Sequence, residues 1–219
     1  MGFDEILTTN YSYELEMAAL GQSSITDYRL KKMLRTTAKR ADTKYLLHNY
    51  YSVPNGAGES KLYHIHGEAR NPDSIVLGHY YYGNLLCKII EFIKSNRDSY
   101  QKRQALGGDQ VNGWIDAFIM HDVYVVGYRF DLSEGDLWWL LNRKCREKAK
   151  HGKVFFFEPI SLGEQPDARL ELLELLIRKD VDDDGDVGAV VRIPVKDENY
   201  IAFYQQAFAK IVEIRKSRG

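Results

Sequence analysis

The sequence predicts an α/β protein with a mostly parallel sheet flanked by helices, and three observations carry that prediction. Strand-length apolar runs alternate with segments of helical periodicity along most of the 219 residues. The run Val123-Tyr124-Val125-Val126-Gly127 has no polar face, as expected of a strand buried within a parallel sheet. Hydrophobic residues make up 44% and charged residues 28%, which suits one sizeable core under a solvated surface.

Residues 5 to 10, Glu-Ile-Leu-Thr-Thr-Asn, group aliphatic and β-branched residues and read as a short strand ended by Asn10. A helix follows through Glu14, Leu15, Ala18 and Ala19. A second, basic helix covers 27 to 41, and a tyrosine-rich strand covers 44 to 53 before the break at Pro54-Asn55-Gly56-Ala57-Gly58. Strands at 61–66 and 74–77 flank a turn from Gly67 to Asp73. Leu85, Leu86, Ile89, Ile90 and Ile93 then recur at helical spacing from Tyr81 onward. Beyond the loose pair Gly107-Gly108, a helix around Trp114 to Met120 leads into the buried strand. The remainder reads as a helix at 133–150, a strand at 153–157, a helix at 167–179, a strand at 187–195 and a final helix from Asn199. Helix-length segments between strands imply right-handed βαβ crossovers.

The 30 basic side chains nearly balance the 31 acidic ones, so no global field draws the chain to nucleic acid, and a nucleic-acid partner is not expected. Neither a leader-like segment nor an apolar run near the roughly 18 residues of a membrane span is visible. Cys87 and Cys145 lie far apart in apolar helical patterns and read as reduced core thiols, which fits a cytoplasmic, membrane-free protein.

Three segments carry the chemistry. Ile6-Leu7-Thr8-Thr9-Asn10-Tyr11 precedes a helix bearing Glu16; Leu62-Tyr63-His64-Ile65-His66-Gly67 is followed by Ile75-Val76-Leu77-Gly78 and tyrosines 80 to 82; Val125-Val126-Gly127-Tyr128 is followed by Asp136-Leu137. In order and spacing they resemble the sirtuin-like families, including the NAD-cleaving proteins of bacterial anti-phage systems and the related abortive-infection AbiH family. The resemblance is clearest over 3–145 and implies one Rossmann-like domain across 1–219, with 150–219 as a C-terminal βαβα extension.

By that resemblance Asn10 and His66 are the catalytic residues. Asn10 would hold the nicotinamide ribose and the water or acceptor beside it, and His66 would act as base towards a ribose hydroxyl. Thr8, Thr9, Tyr11, Gly67 and Gly127 would line the nucleotide site, with NAD as substrate and no metal. Such chemistry suits these groups, since nicotinamide cleavage builds positive charge on the ribose and a fixed amide beside a neutral imidazole favours that state.

The chain also departs from the family pattern. It starts almost at the T-T-N-Y strand, without the first strand and the G-A-G-x-S loop whose following helix receives the pyrophosphate. Gly56-Ala57-Gly58-Glu59-Ser60 repeats the letters but precedes a strand. Ser12 stands in place of an Asp, Arg129 in place of a Ser, and the four zinc cysteines of deacetylating sirtuins are missing. The expected function is therefore NAD hydrolysis, with a catalytically inactive or truncated module that binds nucleotide or protein as the alternative. The missing strand would be replaced from within the chain, or supplied by a partner chain or a second copy in a homo-oligomer.

Two other signals carry less. His64 and His66, two apart on a strand, would face one side and could offer two metal ligands, but no third is identifiable. The turn Asp180 to Asp186 repeats the first half of a calcium loop, yet Val191 stands where a Glu is required, so an acidic surface turn is expected.

Overall fold

The computed structural model describes residues 2–38, 44–56, 58–95, 111–146, 152–161, 167–177, 188–195 and 199–218. The chain divides into two compact units, Met1–Ala117 and Phe118–Gly219.

The first unit carries a mixed four-stranded sheet in the order β1-β4-β3-β2, built from β1 (Glu5–Thr8), β2 (Leu34–Thr36), β3 (Asn49–Asn55) and β4 (Gly58–His64). β1 and β4 run parallel with Thr8 opposite His64, whereas β3 is antiparallel to both β4 and β2. Helices α1 (Glu14–Leu20), α2 (Asp27–Met33) and α3 (His79–Ser95) accompany the sheet. Tyr13, Leu30, Met33, Tyr51, Val53 and Leu62 form a buried cluster, with Ile6, Leu20 and Ile25 packed against it. Alternate residues of β3 face inward (Tyr51 and Val53), following the two-residue period of a strand.

The basic segment expected to be helical over 27–41 is helical only to Met33. Thr26 caps α2 by accepting from the Arg29 N–H at 3.3 Å, and at Leu34 the backbone turns extended, with φ −65° and ψ 130°. Leu34 to Thr36 then pair with Tyr51 to Asn49, so cross-strand bonding overrides the helical preference of the basic residues. The strand expected at 44–53 begins later, at Asn49. Residues 74–77 form no strand: a 3₁₀ turn (Pro72–Ser74) leads into an extended segment that stays outside the sheet. Cys87, expected in the core, is exposed, because the buried face of α3 is Leu85, Ile89, Phe92 and Ile93.

The second unit contains the three-stranded parallel sheet β5-β6-β7, formed by β5 (Val123–Val126), β6 (Val154–Ser161) and β7 (Gly188–Val195). Its helices are α5 (Gly135–Arg146), α6 (Ala168–Ile177) and α7 (Tyr200–Arg218), and α4 (Trp114–Met120) runs across the division of the chain. Each parallel pair is joined through a helix, as parallel strands require. The acidic turn from Asp180 to Asp186, the pair Gly107-Gly108, and Lys39 and Arg40 of the basic segment lie outside the described residues. No helix among the described residues is long and apolar enough to cross a membrane.

Candidate functional site

The parallel pairing of β1 with β4 positions the candidate site. Because Thr8 stands opposite His64, the chain leaves both strands at the same carboxyl end, two residues before Asn10 on one and two before His66 on the other. Strand ends of this kind are where α/β sheets bind ligands.

The segment after β1 is tied down at almost every residue. Buried Thr8 accepts from the Asn10 N–H through Oγ1 at 3.1 Å, and its carbonyl accepts from the Ile65 N–H at 3.0 Å. The Tyr11 carbonyl accepts from the Ala69 N–H at 2.9 Å, and the Tyr11 hydroxyl donates to the Val76 carbonyl at 3.0 Å. Val76 in turn donates its N–H to the His66 carbonyl at 2.8 Å, which holds the extended 75–77 segment against the site without a sheet partner. Thr9 is half-buried, and Asn10 is exposed. Helix α1 begins at Glu14 with Tyr13 as its N-cap, so Asn10 does not serve as the helix cap that a polar residue at a strand-to-helix junction often provides.

His66 follows β4 in a turn and is only 1% exposed, its ring edge-on to Tyr82 at 5.3 Å between centroids. Gly67 follows with φ +95°, a conformation that suits glycine, and a Cβ there would strike the Ser74 backbone. Thr8, Thr9, Tyr11 and Gly67, the residues expected to line a nucleotide, thus lie with Asn10 and His66 in the first unit, at the carboxyl ends of β1 and β4. Gly127 belongs to the second unit, just past β5, with φ +70° and Tyr204 where a Cβ would stand. Arg129 is exposed, and its carbonyl accepts from Arg169 Nη1 at 2.6 Å.

His64 and His66 do not share a strand face, because β4 ends at His64 and the chain turns. His64 Nδ1 lies 2.8 Å from the Asn10 carbonyl and Nε2 lies 2.7 Å from Glu16 Oε1, so both ring nitrogens are engaged within the protein. No group of three or more metal-ligating side chains occurs among the described residues. β3 and β4 pair antiparallel from Asn55 opposite Gly58, and Gly58 begins a strand, so no helix starts there to receive phosphate.

Sequence reading missed the buried polar side chains behind the site. Glu16 is 0% and His64 2% exposed, with the Tyr13 and Tyr51 rings beside the imidazole at 5.4 and 5.8 Å. The Tyr51 hydroxyl donates to buried Glu68 at 2.6 Å, and the Glu68 N–H donates to Ser74 Oγ at 3.1 Å. Burial alone would depress the His64 pKa, but the bond and charge of Glu16, with the Asn10 carbonyl and Glu68, outweigh it and hold it above its ordinary value.

With this geometry in hand, comparison with known families is decisive: a model of the SIR2-like domain matches residues 4–173. The chain belongs to the SIR2-like domain family. No curated protein and no solved structure matches it. The matched span of this SIR2-like domain covers all of β1, β4 and the site loops, and continues into the second unit as far as α6. SIR2-like domains generally bind NAD.

Proposed function

We propose that this SIR2-like domain hydrolyses NAD, as an NAD-cleaving effector of bacterial anti-phage defence. The observation that carries the reading is the parallel β1–β4 register, which brings the Asn10 and His66 segments out at one strand end. Family membership supplies the substrate class, and the resemblance in motif order supplies the defence setting.

The reaction would break the bond between nicotinamide nitrogen and ribose C1′, with nicotinamide leaving with the electron pair. A water oxygen bonds to C1′ in its place, and its proton passes to solvent. Asn10, exposed on a clamped backbone, would orient the nicotinamide ribose and that water. His66 would accept a proton from a ribose hydroxyl as positive charge builds on the ring, and return it to that oxygen once water has bonded to C1′. The imidazole is 1% exposed, with the Tyr82 ring against it, so proton transfer to His66 requires a local opening that admits the ribose.

That same burial favours a second reading, in which the domain binds a nucleotide without cleaving it. Calorimetric titration with NAD tests the shared ground of both. Saturable binding by the wild type, weakened about tenfold by Asn10→Ala, is expected from the loss of one side-chain hydrogen bond to the ligand. Absence of any binding heat in the wild type would remove both readings.

A further inference from the structure

The polar pair closest to Asn10 has no part in the chemistry just described. His64 Nδ1 faces the Asn10 carbonyl at 2.8 Å, and a carbonyl oxygen only accepts, so Nδ1 carries a hydrogen. On the other side of the ring, one proton is shared between Nε2 and Glu16 Oε1 at 2.7 Å. Wherever that proton rests, the pair is neutral as a whole. Glu16 Oε2 is buried and has no hydrogen-bond partner among the described residues.

Such a pair is a poor way to fill a core, because apolar side chains of similar volume are often as stabilising or more so. What the pair achieves that an apolar filling would not is delivery of a fixed donor to a single carbonyl. Tyr13 and Tyr51 beside the ring restrict its rotation, with Tyr51 itself held by Glu68. Together with the bond from the Asn10 N–H to Thr8 Oγ1, this clamps the backbone of residue 10 at both its N–H and its C=O.

We propose that Glu16 and His64 are positioning residues, a buried carboxylate–imidazole pair that fixes the Asn10 backbone so that its side-chain amide points at the ligand. The catalytic consequence rests on the NAD-cleaving reading; the clamping of residue 10 does not.

Two substitutions separate the clamp from general stability. In His64→Asn the side-chain nitrogen falls near the place of Nδ1, keeping a donor for Asn10 while losing Glu16. In His64→Gln the amide reaches the place of Nε2, keeping Glu16 while losing Asn10. Hydrogen–deuterium exchange of the peptide spanning residues 8–13 is expected to rise at least tenfold in His64→Gln over His64→Asn, with β6 and β7 unchanged in both. Nicotinamide release by His64→Gln is expected to fall about a hundredfold in kcat with KM nearly unchanged, the scale of a 1 Å misplacement, while His64→Asn stays within about tenfold of wild type. Equal exchange at residues 8–13 in the two variants, or a uniform rise across the whole chain in both, would overturn the proposal. A wild type that releases no nicotinamide would refute the NAD-cleaving reading, and the exchange contrast would still decide whether His64 clamps residue 10.

Discussion

Gly67 shows how far the site depends on backbone shape. Its φ of +95° and the Ser74 backbone in the Cβ direction leave no room for a side chain, and the turn it makes carries His66 to the site. Gly67→Ala should cost on the order of 1–3 kcal/mol, read as a lower urea midpoint. Motif order in the sequence singles out Asn10, His66 and Gly67 as candidates, and the structure places them at the carboxyl ends of β1 and β4. Glu16 and His64 were visible as letters, but their pairing was not, because it joins residues 48 positions apart. One signal was available: Tyr13, Glu16 and Leu20 share a helical face, and two apolar neighbours on that face imply an inward-pointing carboxylate.

At the scale of elements, the later half of the chain was readable. Every expected strand and helix from Trp114 onward is present among the described residues, because periodicity there is regular and connections are helix-length. The first half was harder. Ile75-Val76-Leu77 has strand composition, yet its hydrogen bonds go to His66 and Tyr11 rather than to a ladder, a tertiary choice that composition does not reveal. The antiparallel pairing of β3 with β4 and β2 departs from the mostly parallel sheet expected; the break at residues 54–58, too short for a parallel crossover, was a signal left unused. Leu62, at the centre of β4 and 1% exposed, anchors the sheet that carries the site. Leu62→Ala should cost about 2–5 kcal/mol in denaturant unfolding, and should loosen residues 8–13 as well as β4, since β1 is held through this strand.

At the scale of the whole molecule, the buried groups His64, in the first unit, and Lys144, in the second, move stability in opposite directions as pH changes. His64 is held above its unfolded value of about 6.5, so the folded state binds its proton more tightly. That contribution is complete below about pH 6.5 and is lost as pH rises through the elevated folded value. Lys144, 2% exposed and donating to the Ile119 and His121 carbonyls at 2.9 and 2.8 Å, is pushed by burial down to about 7, against the opposing pull of Asp122. Its penalty is full below about pH 7 and fades as pH climbs towards the unfolded value of 10.5. Denaturant titrations across pH should therefore show Glu16→Gln abolishing a loss of stability that sets in above about pH 6.5, and Lys144→Met abolishing a gain that sets in above about pH 7. Unchanged pH profiles in both variants would count against these assignments. The reading of the whole molecule stands or falls on nicotinamide release from NAD, followed chromatographically for wild type, Asn10→Ala and His66→Ala. Release by the wild type, reduced at least about a hundredfold in each variant, is the expected result; equal release by all three proteins would contradict it.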